Sequence, residues 1–355
     1  MTVLDVDPAR QEAFAGRLLT ILDDDCLAFL TSVGHRTGLF DTMAAMPPAT
    51  SEEIARAAGL VERYVREWLG GMVTGGFVEY TPESGTYRLP PEHAASLTRA
   101  AGAENFAGFT QYLALMGEVE EQVVTAFRRG GGVPYSAYPH FQALQAEESG
   151  RVWDAALVAG VVPLVDGLGE RLAAGIDVLD VGTGQGHAVN VPAQAFPRSR
   201  FRGVDISVEG IAAARREAER MGLSNTEFVV VDAAEPLGSY DLITAFDVIH
   251  DLARPTRTPA AIAEALRPDG VFLMGEIAAS SRLEENLEHP LGPVLYTFSV
   301  FYCMTVSPAE GGEGLGTVWG EQAARAKPAE AGFTDVRARS LEGDFLNVYF
   351  VARKD

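Results

Sequence analysis

Apolar residues recur at helical spacing between Gln11 and Met43, at Phe14, Leu18, Ile21, Leu22, Leu27, Leu30 and Val33. That period predicts two amphipathic helices with the acids Asp23 to Asp25 between them. Ser51 is then a favourable N-cap for a short helix that Gly59 ends. A second helix follows from Arg63 to Met72, with Tyr64, Trp68, Leu69 and Met72 on one face. After the Gly75-Gly76 turn, Phe77 to Tyr80 and Thr86 to Leu89 read as a hairpin closed over Pro82 to Gly85. Ala101 to Arg128 continues as helix until the glycines at 130 to 132 break it, and residues 151 to 170 again read as helix.

From Gly175 onward strand and helix alternate. Val178 to Val181, Phe201 to Val204, Phe228 to Val231, Leu242 to Phe246 and Val271 to Gly275 are short apolar runs of the buried-strand kind. Helical stretches such as Val208 to Met221 and Thr258 to Leu266 lie between them, which argues a parallel, doubly wound sheet. Val336 to Ser340 and Val348 to Ala352 are separated only by Glu342 to Asn347, too short for a crossover helix. These two runs are expected to form an antiparallel hairpin at one sheet edge.

The chain's 355 residues correspond to roughly two domains at about 150 residues each. With 49 acidic against 28 basic residues the formal charge is −21, a field that repels nucleic acids and anionic membrane surfaces. No apolar run approaches the roughly 20 residues of a membrane span; the best, Ala155 to Val165, contains Gly160 and Pro163. The N-terminal segment carries acids where a signal peptide needs a basic region, so a cytoplasmic location is expected. Cys26 and Cys303 are the only cysteines, too few for a disulfide framework or a zinc cage, and no metal site is expected. Cys303, between Tyr302 and Met304, has no basic activator nearby in sequence and reads as buried and inert.

Helix, helix and two-stranded wing in the first hundred residues resemble the winged-helix fold. A DNA-reading helix needs outward Lys or Arg. Here Arg63 and Arg66 are matched by Glu62 and Glu67, and the wing sets Glu79 and Glu83 against Arg88. The segment is therefore expected to pack and form a dimer in preference to reading DNA.

The chemistry is concentrated in VLDVGTGQGH, where a strand is followed by Asp180 and then Gly182, Thr183, Gly184 and Gly186. Alternate glycines let the backbone turn sharply and approach a ligand closely. A dinucleotide site would offer G-x-G-x-x-G, and His187 stands where its last glycine would be. The acid two residues before a G-x-G-x-G run instead resembles motif I of the class I S-adenosylmethionine-dependent methyltransferases. Asp205 ends the second strand, followed by Ile206, where an acid accepts hydrogen bonds from ribose hydroxyls. The resemblance assigns Asp232, with Ala233 beside it, to the adenine amino group. It also places Phe246 and Asp247, at the end of the fourth strand, in the cofactor site. LRPDGVFLMGE matches the family's lead into the fifth strand, with Asp269 replacing the first glycine.

Over the whole chain the resemblance is to small-molecule O-methyltransferases that dimerise through a winged-helix-like domain, and more closely to a bacterial winged-helix methyltransferase group of poorly defined substrate. It implies an α/β, Rossmann-like, seven-stranded methyltransferase sheet behind a mainly helical winged-helix domain. The expected divisions are a dimerisation domain at 1–100, a helical linker and lid at 101–170 and the cofactor-binding domain at 171–355, with a substrate-lid insertion at 284–322. The related O-methyltransferases place their base in an H-D-W sequence, here His250-Asp251-Leu252. A histidine with its ordinary pKa near 6.5 is neutral at pH 7 and able to take a hydroxyl proton. His289 is a second candidate base, and Glu276 ends the fifth strand, where it either orients a substrate or caps the next segment. The insertion carries Tyr296, Phe298, Phe301, Tyr302, Met304 and Trp319, either as pocket wall or as core. Tyr135, Tyr138, Pro139 and Phe141 are candidates to close over the cofactor. The expected activity is methyl transfer from S-adenosylmethionine to a small, largely apolar or aromatic acceptor, at a hydroxyl oxygen, by a homodimer. The alternatives are C- or N-methylation of a small metabolite, or a regulator that senses the cofactor.

Overall fold

The computed structural model describes residues 6–139, 141, 144, 145, 147, 150 and 156–354. The chain divides into two compact units, Met1–Leu115 and Met116–Asp355, the division falling inside the helix Gln111–Arg129.

The first unit opens on α1, Pro8–Thr37, followed by α2, Leu39–Ala44. The two helices expected before Met43 are a single 30-residue helix as far as Thr37, running straight through Asp23 to Asp25. Three exposed aspartates lower helix propensity by only a few tenths of a kcal/mol each and remove no backbone donor, so they do not break it. Gly38, at φ +72°, does. Next come α3, Ser51–Ala58, and α4, Glu62–Thr74. The cap of α3 is Thr50, whose hydroxyl accepts from the Glu53 N–H while Glu53 reaches back to the Thr50 N–H. Ser51, the expected cap, is already helical and donates to Glu62 at 2.7 Å. The buried face of α4 is Val65, Trp68, Leu69 and Met72; Tyr64, expected inside, is 79% exposed. Tyr64 and Val65 differ by one helical step, 100°, which the apolar period alone does not resolve. The wing is β1, Glu79–Thr81, paired antiparallel with β2, Thr86–Arg88, Tyr80 opposite Tyr87.

The second unit is built on a seven-stranded sheet. Its strands are β3 (Asp177–Val181), β4 (Arg200–Asp205), β5 (Thr226–Val230), β6 (Tyr240–Phe246), β7 (Leu266–Ile277), β8 (Asp335–Arg339) and β9 (Asn347–Arg353). Their order is β5-β4-β3-β6-β7-β9-β8. The first five are parallel, and β8–β9 is the expected antiparallel hairpin, β9 lying against β7. Two apolar clusters cover the two faces, one including Leu179, Ile243, Phe272 and Phe350, the other Val178, Leu242, Val271 and Tyr349. Adjacent strand residues fall in opposite clusters, as the two-residue period requires. The parallel strands all present their carboxyl ends to one edge, where ligands of open α/β sheets bind. Asp269, near the start of β7, stands at φ +52°. That left-handed position favours the glycine that the family places there, and Asp is among the few residues that tolerate it.

Candidate active site

The residues singled out in the sequence collect at that edge in two groups. The first lies beyond β3, β4 and β5. Gly182 and Gly186 take φ +69° and +79°, and a Cβ on either would stand 2.2 Å from Val248 or 2.6 Å from Ala214. Gly184, at φ +52°, faces open space. Its N–H donates to Asp205 Oδ2 at 2.8 Å, and Asp205 Oδ1 accepts from the Ser207 N–H at 2.8 Å. Asp180 is buried behind the loop and accepts from the Thr244 hydroxyl at 2.6 Å; burial pushes its carboxyl up to about 6. Burial also raises Asp205, against the pull of its backbone donors. Ile206 is an exposed apolar side chain beside Asp205. Asp232 Oδ1 accepts from the Ala234 N–H at 2.8 Å, and Oδ2 pairs at 2.9 Å with Arg254, a residue that no sequence motif singles out.

The second group lies beyond β6 and β7. His250 sits on a 3₁₀ turn, Ile249–Asp251, and is 3% exposed. Its Nδ1 lies 2.5 Å from Glu276 Oε2. Glu276 is fully buried and takes two further donors, the Ile249 N–H at 3.1 Å and the Trp319 indole N–H at 3.2 Å. Glu276 and Trp319, expected to touch an acceptor, therefore spend their polar atoms on holding His250. Burial opposes a charged imidazole. The Glu276 carboxylate and the Cys303 thiol outweigh it and hold His250 well above its ordinary value. The sequence reading took an imidazole with its ordinary value, and the buried Glu276 carboxylate moves it upward.

Asp251 is buried with its Oδ1 unpartnered among the described residues, and burial pushes it up to about 7. Asp247, at φ +52°, also has a buried Oδ1 without a partner among them and is likewise raised to about 7 by burial, with Glu276 adding to the shift. Phe246 ends β6 opposite Gly275 of β7.

His289 is not free to act as a base. Its Nδ1 accepts from the Leu291 N–H and its Nε2 faces the Ala278 carbonyl, both at 3.1 Å. Tyr296 is engaged through its hydroxyl by Asn286 at 3.3 Å. The insertion is ordered as α5 (Gly292–Phe298), a π-helical turn (Ser299–Cys303) and α6 (Met304–Ala309). It is pinned over His250 by Gly316 N–H to the His250 carbonyl at 3.0 Å and by Ser307 to the Leu252 carbonyl at 2.9 Å. Tyr302 is buried there, its ring stacked on Phe141 at 3.6 Å and edge-on to Tyr135 and Tyr138. Tyr135 donates to the Asp251 carbonyl at 3.4 Å. Pro139 and Ala233 lie next to these groups in sequence, and residues 151–155 of the helix expected at 151–170 fall outside the described residues. Cys303 is half-buried, so the expectation that it is buried is corrected.

Comparison with known proteins agrees with this fold. Residues 25–99 match the family described as Rv2258c-like winged HTH domain, and residues 172–292 match a methyltransferase domain. A nocamycin O-methyltransferase of Saccharothrix syringae is 34% identical over 116 residues, which are 31% of this chain and 41% of that protein. The matches span 27% and 41% of the length of the curated relatives. A solved O-methyltransferase fold from Nostoc punctiforme superposes with a TM-score of 0.74 at 18% identity, covering 95% of this chain and 98% of its own. Human N-acetylserotonin methyltransferase, solved with S-adenosylmethionine, gives 0.70 at 18%, covering 99% of both chains. The likeness at such identities establishes the fold. The chain thus has the class I, Rossmann-like methyltransferase fold. More narrowly, it joins a methyltransferase domain to an N-terminal winged helix-turn-helix domain.

The glycine loop also passes a test for S-adenosylmethionine. Gly184 leaves room for a ligand at the loop, Asp205 offers a carboxylate at the end of β4, and the exposed Ile206 offers an apolar surface beside it.

Proposed function

We propose that the chain transfers a methyl group from S-adenosylmethionine to a hydroxyl oxygen of a small, largely apolar or aromatic acceptor. The observation that carries this reading is the buried His250–Glu276 pair at the carboxyl edge of the sheet, next to the glycine loop's half of the site. Bound S-adenosylmethionine supplies an electrophilic methyl group on a sulfonium. Asp205 and the loop of Gly182 to Gly186 hold the cofactor's polar groups, and Asp232 and Ile206 border its base. His250 takes the hydroxyl proton, and Glu276 fixes the ring and stabilises the imidazolium that results. Glu276 holds His250 above its ordinary value, so transfer should rise with pH, and acidic phenols, which need less help from a base, are the better acceptors. Asp251, Tyr135 and Tyr302 line the acceptor side, and residues 284–322 serve as its wall.

The same reading takes residues 1–100 as a dimerisation domain, 101–170 as linker and 171–355 as the catalytic domain. Phe14, Leu18, Ile21 and Leu22 repeat on one side of α1 and are exposed by 43–61%, a long apolar face suited to a second copy of the chain. DNA reading is disfavoured because the arginines of α4 and the wing are paired, Arg63 with Glu67, Arg66 with Glu62 and Arg88 with Glu79. None of the described helices is long and apolar enough to cross a membrane.

The test is a panel of phenols, catechols and quinols with labelled S-adenosylmethionine, run from pH 6 to 10. Transfer that rises with pH and favours acidic phenols is the expected result. Binding of S-adenosylmethionine without transfer to any member would remove the hydroxyl acceptor and leave C- or N-methylation.

A further inference from the structure

The turn at 316–320, near the end of the insertion, reaches the buried pair from two sides. At one end the Gly316 N–H donates to the His250 carbonyl at 3.0 Å. At the other the Trp319 indole N–H donates to Glu276 Oε2 at 3.2 Å, the same oxygen that lies 2.5 Å from His250 Nδ1. Glu276 Oε1 takes the Ile249 N–H, so indole and imidazole share the second oxygen between them. Trp319 is 5% exposed and Glu276 fully buried, and a hydrogen bond made out of reach of water is electrostatically strong. The indole is itself fixed. The Trp319 N–H donates to the Gly316 carbonyl at 3.1 Å, and the Trp319 carbonyl accepts from the Ser281 hydroxyl. Gly320, at φ +79°, lets the chain pass so close to Ser281 that a Cβ would stand 2.0 Å from its nitrogen.

We infer that Trp319 is a positioning residue for His250 that acts through Glu276: its indole holds the carboxylate oxygen that the imidazole uses, and the turn at 316–320 braces both members of the pair. A hydrogen bond to a carboxylate favours the charged form. The indole therefore loosens the carboxylate's hold on the proton it shares with the imidazole. Without that donor the pair keeps its proton to higher pH. Lost packing alone does the opposite, because a loosened pair lets the imidazole fall toward its ordinary value. The other titratable groups that face the pair are Asp247, just past β6, Asp251, beside His250, and Cys303 of the insertion. Replacing Trp319 changes the charge of none of them. The brace stands without any methyl transfer, whereas its effect on rate rests on the function proposed above.

The test follows His250 by NMR in the full chain carrying labelled histidine, its resonance assigned by its absence in His250→Asn. Trp319→Phe should raise the titration midpoint by about one pH unit, the scale of a hydrogen bond to a charged group. Glu276→Gln should lower it. In the Glu276→Gln protein, Trp319→Phe should leave the midpoint in place, since the indole then has no carboxylate to act through. Calorimetric binding of S-adenosylmethionine reports that each variant is folded. A midpoint that stays or falls in Trp319→Phe would overturn the inference, as would an equal shift with and without the carboxylate. Should Trp319→Phe not fold, the wild type carries the test. One of its three indole N–H resonances should follow the His250 titration and move in Glu276→Gln, and three resonances indifferent to both would sink the brace. In the active enzyme, Trp319→Phe should carry the rising limb of kcat upward with the midpoint and leave the acceptor's KM unchanged. A raised KM with an unmoved limb would place the indole on the acceptor instead. The predicted midpoint shifts in a protein that methylates no phenol would keep the brace and discard the hydroxyl acceptor.

Discussion

Two ion pairs stand on the same sheet edge and are held in opposite ways. Arg254–Asp232, beyond β5, is 52% and 37% exposed, and water competes for both partners. His250–Glu276, beyond β6 and β7, is 3% and 1% exposed, and water reaches neither. An exposed pair contributes about 0–1 kcal/mol and can be exchanged for a ligand at little cost. A buried pair costs much more to break than to replace, because one partner left alone is an uncompensated charge. Of the two pairs, Arg254–Asp232 can thus let go at little cost and His250–Glu276 cannot.

The largest effect expected from this contrast is at His250. His250→Ala should lower kcat by about 10²–10⁴, the usual contribution of a positioned base. It should also destabilise the fold by about 3–5 kcal/mol, because Glu276 is stranded without a counter-charge. The double variant His250→Ala/Glu276→Gln should regain most of that stability in chemical denaturation and none of the activity. Recovery of both would mean that the pair serves folding alone.

Glu276→Gln sharpens the same point through pH. A neutral imidazole is the active form of the base, and the carboxylate holds His250 above its ordinary value. The rising limb of the wild-type pH–rate profile should therefore lie above that of an ordinary imidazole, and Glu276→Gln should move it to lower pH. Linkage gives the matching sign for stability. A histidine raised in the folded state adds stability that is complete below its unfolded value and is lost as pH climbs through the folded one. The wild type should accordingly lose stability in alkali that Glu276→Gln does not lose. A limb that stays in place would detach Glu276 from the proton transfer.

The contrast also explains what could be read in the sequence. The cofactor half is made of backbone turns and strand-end acids. Each lies within a few residues of its strand, so glycine spacing and the acids Asp180, Asp205 and Asp232 are visible as a local pattern. All five parallel strands and the late hairpin were legible for a similar reason: a buried strand writes its own apolar run. The group around His250 joins residues from β6, β7, the insertion and the segment at 135–141, and nothing local marks that His250 and Trp319 meet at Glu276. His289 looked equivalent to His250 because sequence does not show that backbone groups occupy both its nitrogens. In the first unit the errors were of phase and termination. A run of acids resembled a helix break, and Tyr64 took the place of Val65, because burial is decided by neighbours that the sequence does not order.

On the cofactor side, Asp205→Ala should weaken S-adenosylmethionine at least tenfold by calorimetry, since a hydrogen bond to a charged group contributes about 1.5–3 kcal/mol. The circular dichroism spectrum should persist. Asp205 braces the glycine loop through the Gly184 N–H, so part of the loss belongs to a loosened loop. Asp205→Asn, which keeps an oxygen acceptor, should lose less. Equal losses in the two variants would show that the charge matters more than the brace.

The smallest effect is the one that tests the exposed pair directly. Asp232 Oδ1 is taken up by the Ala234 N–H, so Oδ2, now facing Arg254, is the oxygen available to an adenine amino group. If the pair lets go when the cofactor enters, its cost is that of an exposed salt bridge, about 0.2–1 kcal/mol. Arg254→Ala removes that cost in advance, and S-adenosylmethionine should bind no more than about fivefold tighter, the ratio that 1 kcal/mol allows. Salt gives an independent check, because it screens an exposed pair. Wild-type affinity should rise slightly between low and moderate ionic strength, and the Arg254→Ala protein should show no such rise. Glu235 lies 3.6 Å from the same guanidinium and would retain it in Asp232→Asn, so that variant does not separate the two roles. A loss of affinity in Arg254→Ala beyond fivefold would reverse the reading: Arg254 would then hold the cofactor itself, and the exposed pair would be no freer to part than the buried one.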